Sequence, residues 1–379
     1  MDKPHFLSMS RDEYRELFKL WGLPKFRADQ ISQWIYKDAV HDPELMTNLS
    51  KDLRQKLFSE IDWRLPSIVD LVNSQDGSTK LLLRSLKGQL VETVLLRYEN
   101  RTSLCVSSQV GCKLACDFCQ TGKLGFVRHL ERAEILSQLF MANQILAKEG
   151  LRTTHIVFMG MGEPLDNYTN AVGAANVMMA EDGFFLSARH VTLSTSGLAP
   201  EIEKLATDSR AALALSLHAS RDELRTKLMP INRRYNLERL KQALIHYQKV
   251  TNKKITIEYI MIKDTNCGLQ EAKELVKFVH GLQTKVNLIP FNAHPGLPFQ
   301  RPDDEEIRTF QKYLSDRSIP APVRYSKGLD VSAACGQLAA KHAEELHQKP
   351  ERKRLVSQMN ILPVEAAQNA SANESVSAP

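Results

Sequence analysis

The chain has 379 residues, 43% of them apolar and 25% charged, with a net charge of +6. That is enough apolar material for a substantial core, and it excludes a wholly disordered or fibrous chain. No apolar run approaches the ~20 residues of a membrane span and the opening "MDKPHFLSMSRDEYRE" lacks the apolar stretch of a signal peptide, so the expectation is a cytoplasmic protein with no membrane partner.

Residues 1 to about 75 read as helical. Ser10 followed by Glu13 is a capping box, and Tyr14, Leu17, Phe18 and Trp21 recur at helical spacing after it. A second amphipathic stretch runs through "FRADQISQWIYKDAV". "GSTKLLLRSLKGQLVETVLL" then predicts two strands turning at Gly88. Residues 1–90 are accordingly expected to form a small, mainly helical accessory domain.

From Thr102 short apolar runs alternate with helical stretches. The predicted strands are "SLCVSS", "HIVFMG", "HVTLSTS", "ALALSLH", "ITIEYIMI" and "KVNLIPFN", with "APVRYS" extending the series. Runs apolar on both faces and separated by helices indicate a covered parallel sheet. At least six such units without a nucleotide-type glycine fingerprint predict an α/β fold, a partial or full TIM-like barrel over 91–349. The tail, 350–379, is polar and rich in Ala, Ser and Asn, and is expected to be disordered.

In such a barrel the chemistry sits at the C-terminal ends of the strands. The stretch "VGCKLACDFC" follows the first strand, and Gly162 and Glu163 follow the second. Ser194 ends the third, Ser216 and His218 the fourth, and Asn292 the sixth. These polar groups are therefore expected on one rim.

Cys112, Cys116 and Cys119 fall within eight positions. Clustered thiols fit a reduced compartment, where they bind metal or do redox chemistry. A structural zinc site would want a fourth Cys or His at matching spacing, which is absent, and three buried free thiols in one glycine-led loop would pack a core poorly. A 4Fe–4S cluster held by three thiolates leaves one iron open, a place that S-adenosylmethionine (SAM) can take. The spacing C-x-x-x-C-x-x-C, with Phe118 before the last cysteine, resembles the radical-SAM signature, and "GEP" after the second strand strengthens the likeness.

"LCVSSQVGC", "VTLSTSG", "SLHA", "PIN", "NLIPFN" and "SAACGQL", with "FRADQISQWIY" and "VETV" nearer the front, together resemble the RlmN/Cfr family of radical-SAM RNA adenine methyltransferases. The likeness spans roughly residues 10 to 345. It implies a 4Fe–4S cluster on Cys112, Cys116 and Cys119, with SAM contacts from Gly162, Glu163, Ser194, Ser216, Leu217, His218 and Asn292. It also implies that Cys335 is methylated and carries the group that reaches the base. Cys105 would then attack the sulfur of residue 335 to free the product, forming a transient disulfide, and Glu92 would accept the proton from the adduct carbon. The implied target is an adenine in 23S rRNA, in some members also tRNA. A monomer supplied with electrons by flavodoxin or ferredoxin is the implied state. "CQTGKLGFVRHL" departs from the best-known carbon-2 enzymes and shares its Thr-Gly pair with relatives that include carbon-8 enzymes, so carbon 2 is favoured and carbon 8 stays open.

Lys25, Arg27, Lys37, Lys123, Arg128, Arg233 and Arg234 are candidate contacts to an RNA backbone, against the plainer reading of solvated charge. Taken without the resemblance, Cys105 is an ordinary buried strand residue, Cys335 a packing residue and Glu92 a solvated charge. Cys267 matches nothing and reads as structural. Two other functions stay open: a radical-SAM enzyme acting on a protein or small molecule, and a non-catalytic metal-stabilised RNA-binding module. The first has no need of the Cys105/Cys335 pair, the second none of the strand-end residues.

Overall fold

The computed structural model describes residues 3–293 and 296–338; the expected disordered tail lies outside them. Among the described residues there are eleven strands: β1 (Ser67–Asn73), β2 (Thr79–Arg84), β3 (Leu90–Tyr98), β4 (Arg101–Cys105), β5 (Gln109–Gly111), β6 (Phe126–His129), β7 (His155–Phe158), β8 (Val191–Thr195), β9 (Ala212–Ser216), β10 (Ile255–Met261) and β11 (Thr284–Pro290). Nine form one sheet in the order β1-β2-β3-β4-β7-β8-β9-β10-β11, while β5 and β6 pair as a separate ribbon. From β4 to β11 every pairing is parallel. Each crossover carries at least one helix, as a parallel sheet requires.

The barrel is partial. β1, β2 and β3 join antiparallel and extend the sheet past β4, so no pairing among the described residues closes β11 onto β4. "APVRYS" adds only an isolated parallel bridge from Val323 to Leu288. The strands expected around Gly88 are β2 and β3, and that glycine has φ +90° in their turn. Two features differ from expectation. Residues 67–73, read as the end of a helical region, are β1, and the β5–β6 ribbon does not figure in the reading of the sequence.

The front segment holds Arg11–Leu20, Phe26–Ser32 and Lys51–Glu60 as α-helices. The Ser10/Glu13 capping box is formed, with the Glu13 N–H donating to Ser10 Oγ and the Ser10 N–H to Glu13 Oε2. Residues Met1–Ala340 make one compact unit, so the strands that begin near residue 67 belong with the barrel sheet as much as with the front segment. Helix Arg132–Ala147 is buried on nearly all sides, because the sheet lies against one face and the front segment against another. Phe6 meets Phe140 edge-on at 5.5 Å, and Tyr36 meets Phe184 at 5.0 Å.

Candidate active site

Strand register puts a set of ionisable and polar side chains of the sheet on one face. Lys80 on β2 is opposite Val94, and Val94 is opposite Cys105. Cys105 pairs with Val157, Val157 with Thr192, and Thr192 with Ala212. Ala214 pairs with Thr256, Ser216 with Glu258, and Glu258 with Asn287. Side chains alternate with a period of two, so Lys80, Glu92, Cys105, Ser194, Ser216, Glu258 and Asn287 share that face. Ser194 Oγ and Ser216 Oγ lie 3.4 Å apart at its rim.

The backbone after β4 is fixed by Ser107 and Gln109. Ser107 Oγ donates to the Glu92 carbonyl and accepts the Met161 N–H, while Gln109 Oε1 accepts the Glu163 N–H at 2.8 Å. Gly162 has φ +99°, and a Cβ there would come within 2.5 Å of Gln109 Cβ, so only glycine lets the β7 loop approach this closely. Glu163 is buried and accepts from the Ser196 N–H and hydroxyl, both at 2.8 Å, and from the Leu165 N–H at 3.0 Å. Burial pushes its carboxyl up against the pull of those hydrogen bonds.

His218 has φ +59°, and its Nδ1 accepts the Ile260 N–H at 3.0 Å. The proton of the neutral ring is therefore on Nε2. Burial, helped by the Arg225 charge, pushes its pKa down to about 3. Its ring meets Phe118 edge-on at 4.9 Å, joining the β9 end to the cysteine loop. The Leu217 N–H donates to the Glu258 carbonyl at 3.0 Å.

The three-cysteine loop starts at Gly111, whose φ is +73°, and the Cys112 N–H donates to the Gly125 carbonyl at 2.9 Å. The Asp117 N–H donates to Leu228 O and the Gln120 N–H to Gly336 O, while Phe118 packs with Met229, Ile260 and Phe291. Burial pushes the Cys112 thiol up to about 12, with Glu163, Cys119 and Asp166 adding to the rise, and Cys116 moves the same way. Such thiols stay protonated until a metal supplies positive charge. Among the described residues no three His, Cys, Asp or Glu side chains are gathered to hold a single ion. A 4Fe–4S group makes a different demand, taking each thiolate on its own iron, and three cysteines on a glycine-led loop fit it.

The Cys335 residue is partly open to solvent, but desolvation of its thiol, with the charges of Glu258 and Cys119 adding to it, raises that thiol to about 11. Asn292 Nδ2 donates to the Cys335 carbonyl at 3.2 Å and to Ser326 Oγ at 2.9 Å. Cys105 is buried, and its thiol is raised by that burial and then by Cys335. All six cysteines are free thiols. Glu92 is buried in an ion pair with Lys80 at 3.2 Å, not the solvated charge its residue type suggests. Cys267 donates to the Ile262 carbonyl and packs in the core.

Of the candidate RNA contacts, Arg128 is otherwise engaged: its guanidinium grips Glu134 at 2.7 Å through two nitrogens, and bonds Ser85 and Gln89. Lys123 donates to the Gly296 carbonyl in the loop after β11 at 3.3 Å, Arg27 is tied to Gln30 and Asn48, and among the described residues no hydrogen bond or ion pair draws Lys25, Lys37, Arg233 or Arg234 to the rim. Arg225 is a site residue that spacing does not reveal. Fully buried, it donates to the carbonyls of Ser196 (2.6 Å) and Leu217 (3.1 Å) and to Asn232 Oδ1 (2.9 Å), tying the ends of β8 and β9 together. A charged residue near the middle of "SRDELRTKLMPIN" reads as a solvated helix face until the fold buries it.

A partial barrel with this rim defines a radical-SAM protein, and the Radical SAM superfamily profile matches residues 106–279. The profile of the ribosomal RNA large subunit methyltransferase N-terminal domain matches residues 5–61. A dual-specificity RNA methyltransferase RlmN of Nitratiruptor sp. is 47% identical over 332 residues, covering 84% of this chain and 94% of its own. The chain belongs to the RlmN family of radical-SAM RNA methyltransferases. A probable dual-specificity RNA methyltransferase RlmN of Dictyoglomus turgidum is 42% identical over 338 residues, 89% of this chain and 97% of that one. The crystal structure of a radical SAM methyltransferase from Sphaerobacter thermophilus aligns with a TM-score of 0.85 at 41% identity, over 89% of this chain and 99% of the other. Among the described residues no helix is long and apolar enough to cross a membrane.

Proposed function

We propose that this enzyme methylates carbon 2 of an adenine in 23S rRNA and in tRNA, through a methyl group carried on Cys335. The observation that supports this most directly is that two free cysteines, 230 positions apart in the chain, come near enough to influence each other's charge, one of them on the sheet face that also holds Glu92. When bound on Cys112, Cys116 and Cys119, the cluster with SAM supplies the methyl group, the reducing electron and the hydrogen-abstracting radical; flavodoxin or ferredoxin would deliver the electron. Gly162, Glu163, Ser194, Ser216, Leu217, His218 and Asn292 line the strand ends where SAM would bind.

Cys335 lies on a loop whose backbone is held by Asn292. Its methyl, once it has lost a hydrogen atom, bonds to the adenine carbon and links RNA to protein. Glu92 accepts the proton that leaves that carbon, and the adduct's unpaired electron would pass back to the cluster that supplied the reducing electron. The Cys105 thiolate then attacks the Cys335 sulfur to form a disulfide, the carbon–sulfur bond breaks with its electron pair left on the base's methylene, and that carbon takes up a proton to become the methyl; an external thiol reductant must reopen the disulfide.

The test is a pair of variants. Cys105→Ala should purify with RNA covalently bound to Cys335, seen as a mass-shifted peptide after nuclease digestion. Cys105→Ala/Cys335→Ala should carry none. Full RNA methylation by Cys105→Ala with no bound RNA would sink the proposal.

A further inference from the structure

The loop before Cys335 is docked on the turn between β1 and β2, in a stretch that neither family profile covers. Ser74 Oγ donates to Asp330 Oδ1 at 2.6 Å, and the Gln75 N–H to Asp330 Oδ2 at 3.1 Å. Asp76 Oδ2 accepts the Gly328 N–H at 2.7 Å, and Lys327 Nζ donates to the carbonyls of Asp76 and Arg97 at 2.9 and 2.8 Å. Two carboxylates and one ammonium thus hold a loop to a hairpin about 250 residues away in the sequence. The loop is closed tightly on itself, since a Cβ at Gly328 (φ +70°) would come within 2.7 Å of the Ala333 methyl.

Lys80 connects this dock to Glu92. Its ammonium pairs with Glu92 Oε1 at 3.2 Å and also donates to the Ser332 carbonyl at 3.4 Å, three residues before Cys335. The two side chains are only 6% and 1% exposed. Removing one partner of such a buried pair is strongly unfavourable, because it strands the other charge. Lys80 shares the sheet face of Cys105, so the ammonium lies among the groups assigned above to carry the methyl, accept the proton and release the product.

Resting on that assignment of Glu92 and Cys335, we infer that Lys80 is a positioning residue that aims Glu92 at the substrate and does so against the docked Cys335 loop. It provides countercharge for the carboxylate and fixes where it points, and the Ser332 carbonyl holds the ammonium in place. Without this cation the buried carboxylate loses the ion pair that orients it toward the adenine carbon and the countercharge that lies against the Cys335 loop.

Four variants, Lys80→Met, Lys80→Arg, Glu92→Gln and Lys80→Met/Glu92→Gln, test this by mass spectrometry of Cys335 and by assay of methylated RNA. Lys80→Met should carry a methyl on Cys335 to the wild-type extent, accumulate RNA bound to Cys335 as Glu92→Gln does, and lose RNA product at least about 100-fold. Lys80→Arg, which keeps the charge, should recover at least about tenfold of that loss. A merely structural lysine would lower stability and Cys335 methylation together and leave no adduct, which overturns the inference. If Glu92→Gln stalls with adduct while Lys80→Met turns over normally, the coupling fails and the role of Glu92 stands. If Glu92→Gln turns over normally, the role of Glu92 fails and takes the coupling with it. Should Lys80→Met not fold, the double variant still decides, since it buries no lone charge. Adduct within about twofold of Glu92→Gln supports action through Glu92, and loss of adduct overturns it.

Discussion

His218 shows how one residue can be both legible and misleading. "SLHA" after a strand marks it as a rim residue, but sequence does not show that its ring accepts a backbone N–H and is held neutral. The unfolded chain has the ordinary pKa near 6.5, above the folded value of about 3. Between those values the unfolded state binds the extra proton, so stability is present above about pH 6.5 and falls as pH drops toward 3. The slope approaches ~1.4 kcal/mol per pH unit, or about 2 kcal/mol between pH 7 and 5. His218→Asn tolerates the positive φ, and its amide oxygen can accept the Ile260 N–H in place of Nδ1. Urea unfolding of the metal-free variant should therefore show a difference from wild type at pH 7 that shrinks or reverses by about 2 kcal/mol at pH 5. A pH-independent difference would mean that His218 does not titrate in that window. Lys80 and Arg225 were not legible at this scale. A lysine in "TKLLLR" and an arginine in a charged helix carry no spacing signal, and only the fold buries them.

At the scale of elements, the sequence was most informative where strands are buried on both faces. The six parallel strands are dense β-branched and leucine runs, and the structure places each of them in the sheet. β1 escaped because Ile68, Leu71 and Val72 stand at i, i+3 and i+4, which suits a helix as well as an edge strand, and its side chains are only half-buried. β5 and β6 have three and four residues, too few to show a period of two. Yet this ribbon sets where the cysteine loop begins. A Cβ at Gly111 would stand 1.8 Å from the Gly125 carbonyl oxygen, the same oxygen that accepts the Cys112 N–H. Gly111→Ala must therefore part β5 from β6 and shift Cys112. The variant should fold, but after anaerobic reconstitution it should hold well under the roughly four irons expected of an intact cluster. Wild-type iron content and visible absorption would show that the ribbon does not position the first cysteine.

At the scale of the whole molecule, the division at residue 90 into a front domain and a barrel, natural from the change in sequence pattern at Thr102, meets a core that runs through both. Phe6, Tyr14, Phe18, Ile31 and Tyr36 belong to the same buried cluster as Phe140, Ile156 and Leu193. Polar ties run across the same contact: Arg11 pairs with Asp182 at 2.9 Å, Gln144 donates to the Ala39 carbonyl at 3.0 Å, and Arg132 donates to the Ser8 carbonyl. A segment held only by a linker would leave the barrel intact when removed. Here, removal of residues 1–61 would bare Phe140 and Phe184, now 0% and 2% exposed, and strand the buried face of helix Arg132–Ala147. At about 1.5–3 kcal/mol for each large apolar side chain returned to water, that loss is of the size of a domain's whole stability. The metal-free full-length chain should accordingly unfold in one cooperative transition, with fluorescence and circular dichroism coinciding. The truncated chain should aggregate, or keep secondary structure without a cooperative melt. Two separate transitions in the full-length chain, or a truncated barrel that melts cooperatively at the wild-type temperature, would show that the front segment is an independent attachment.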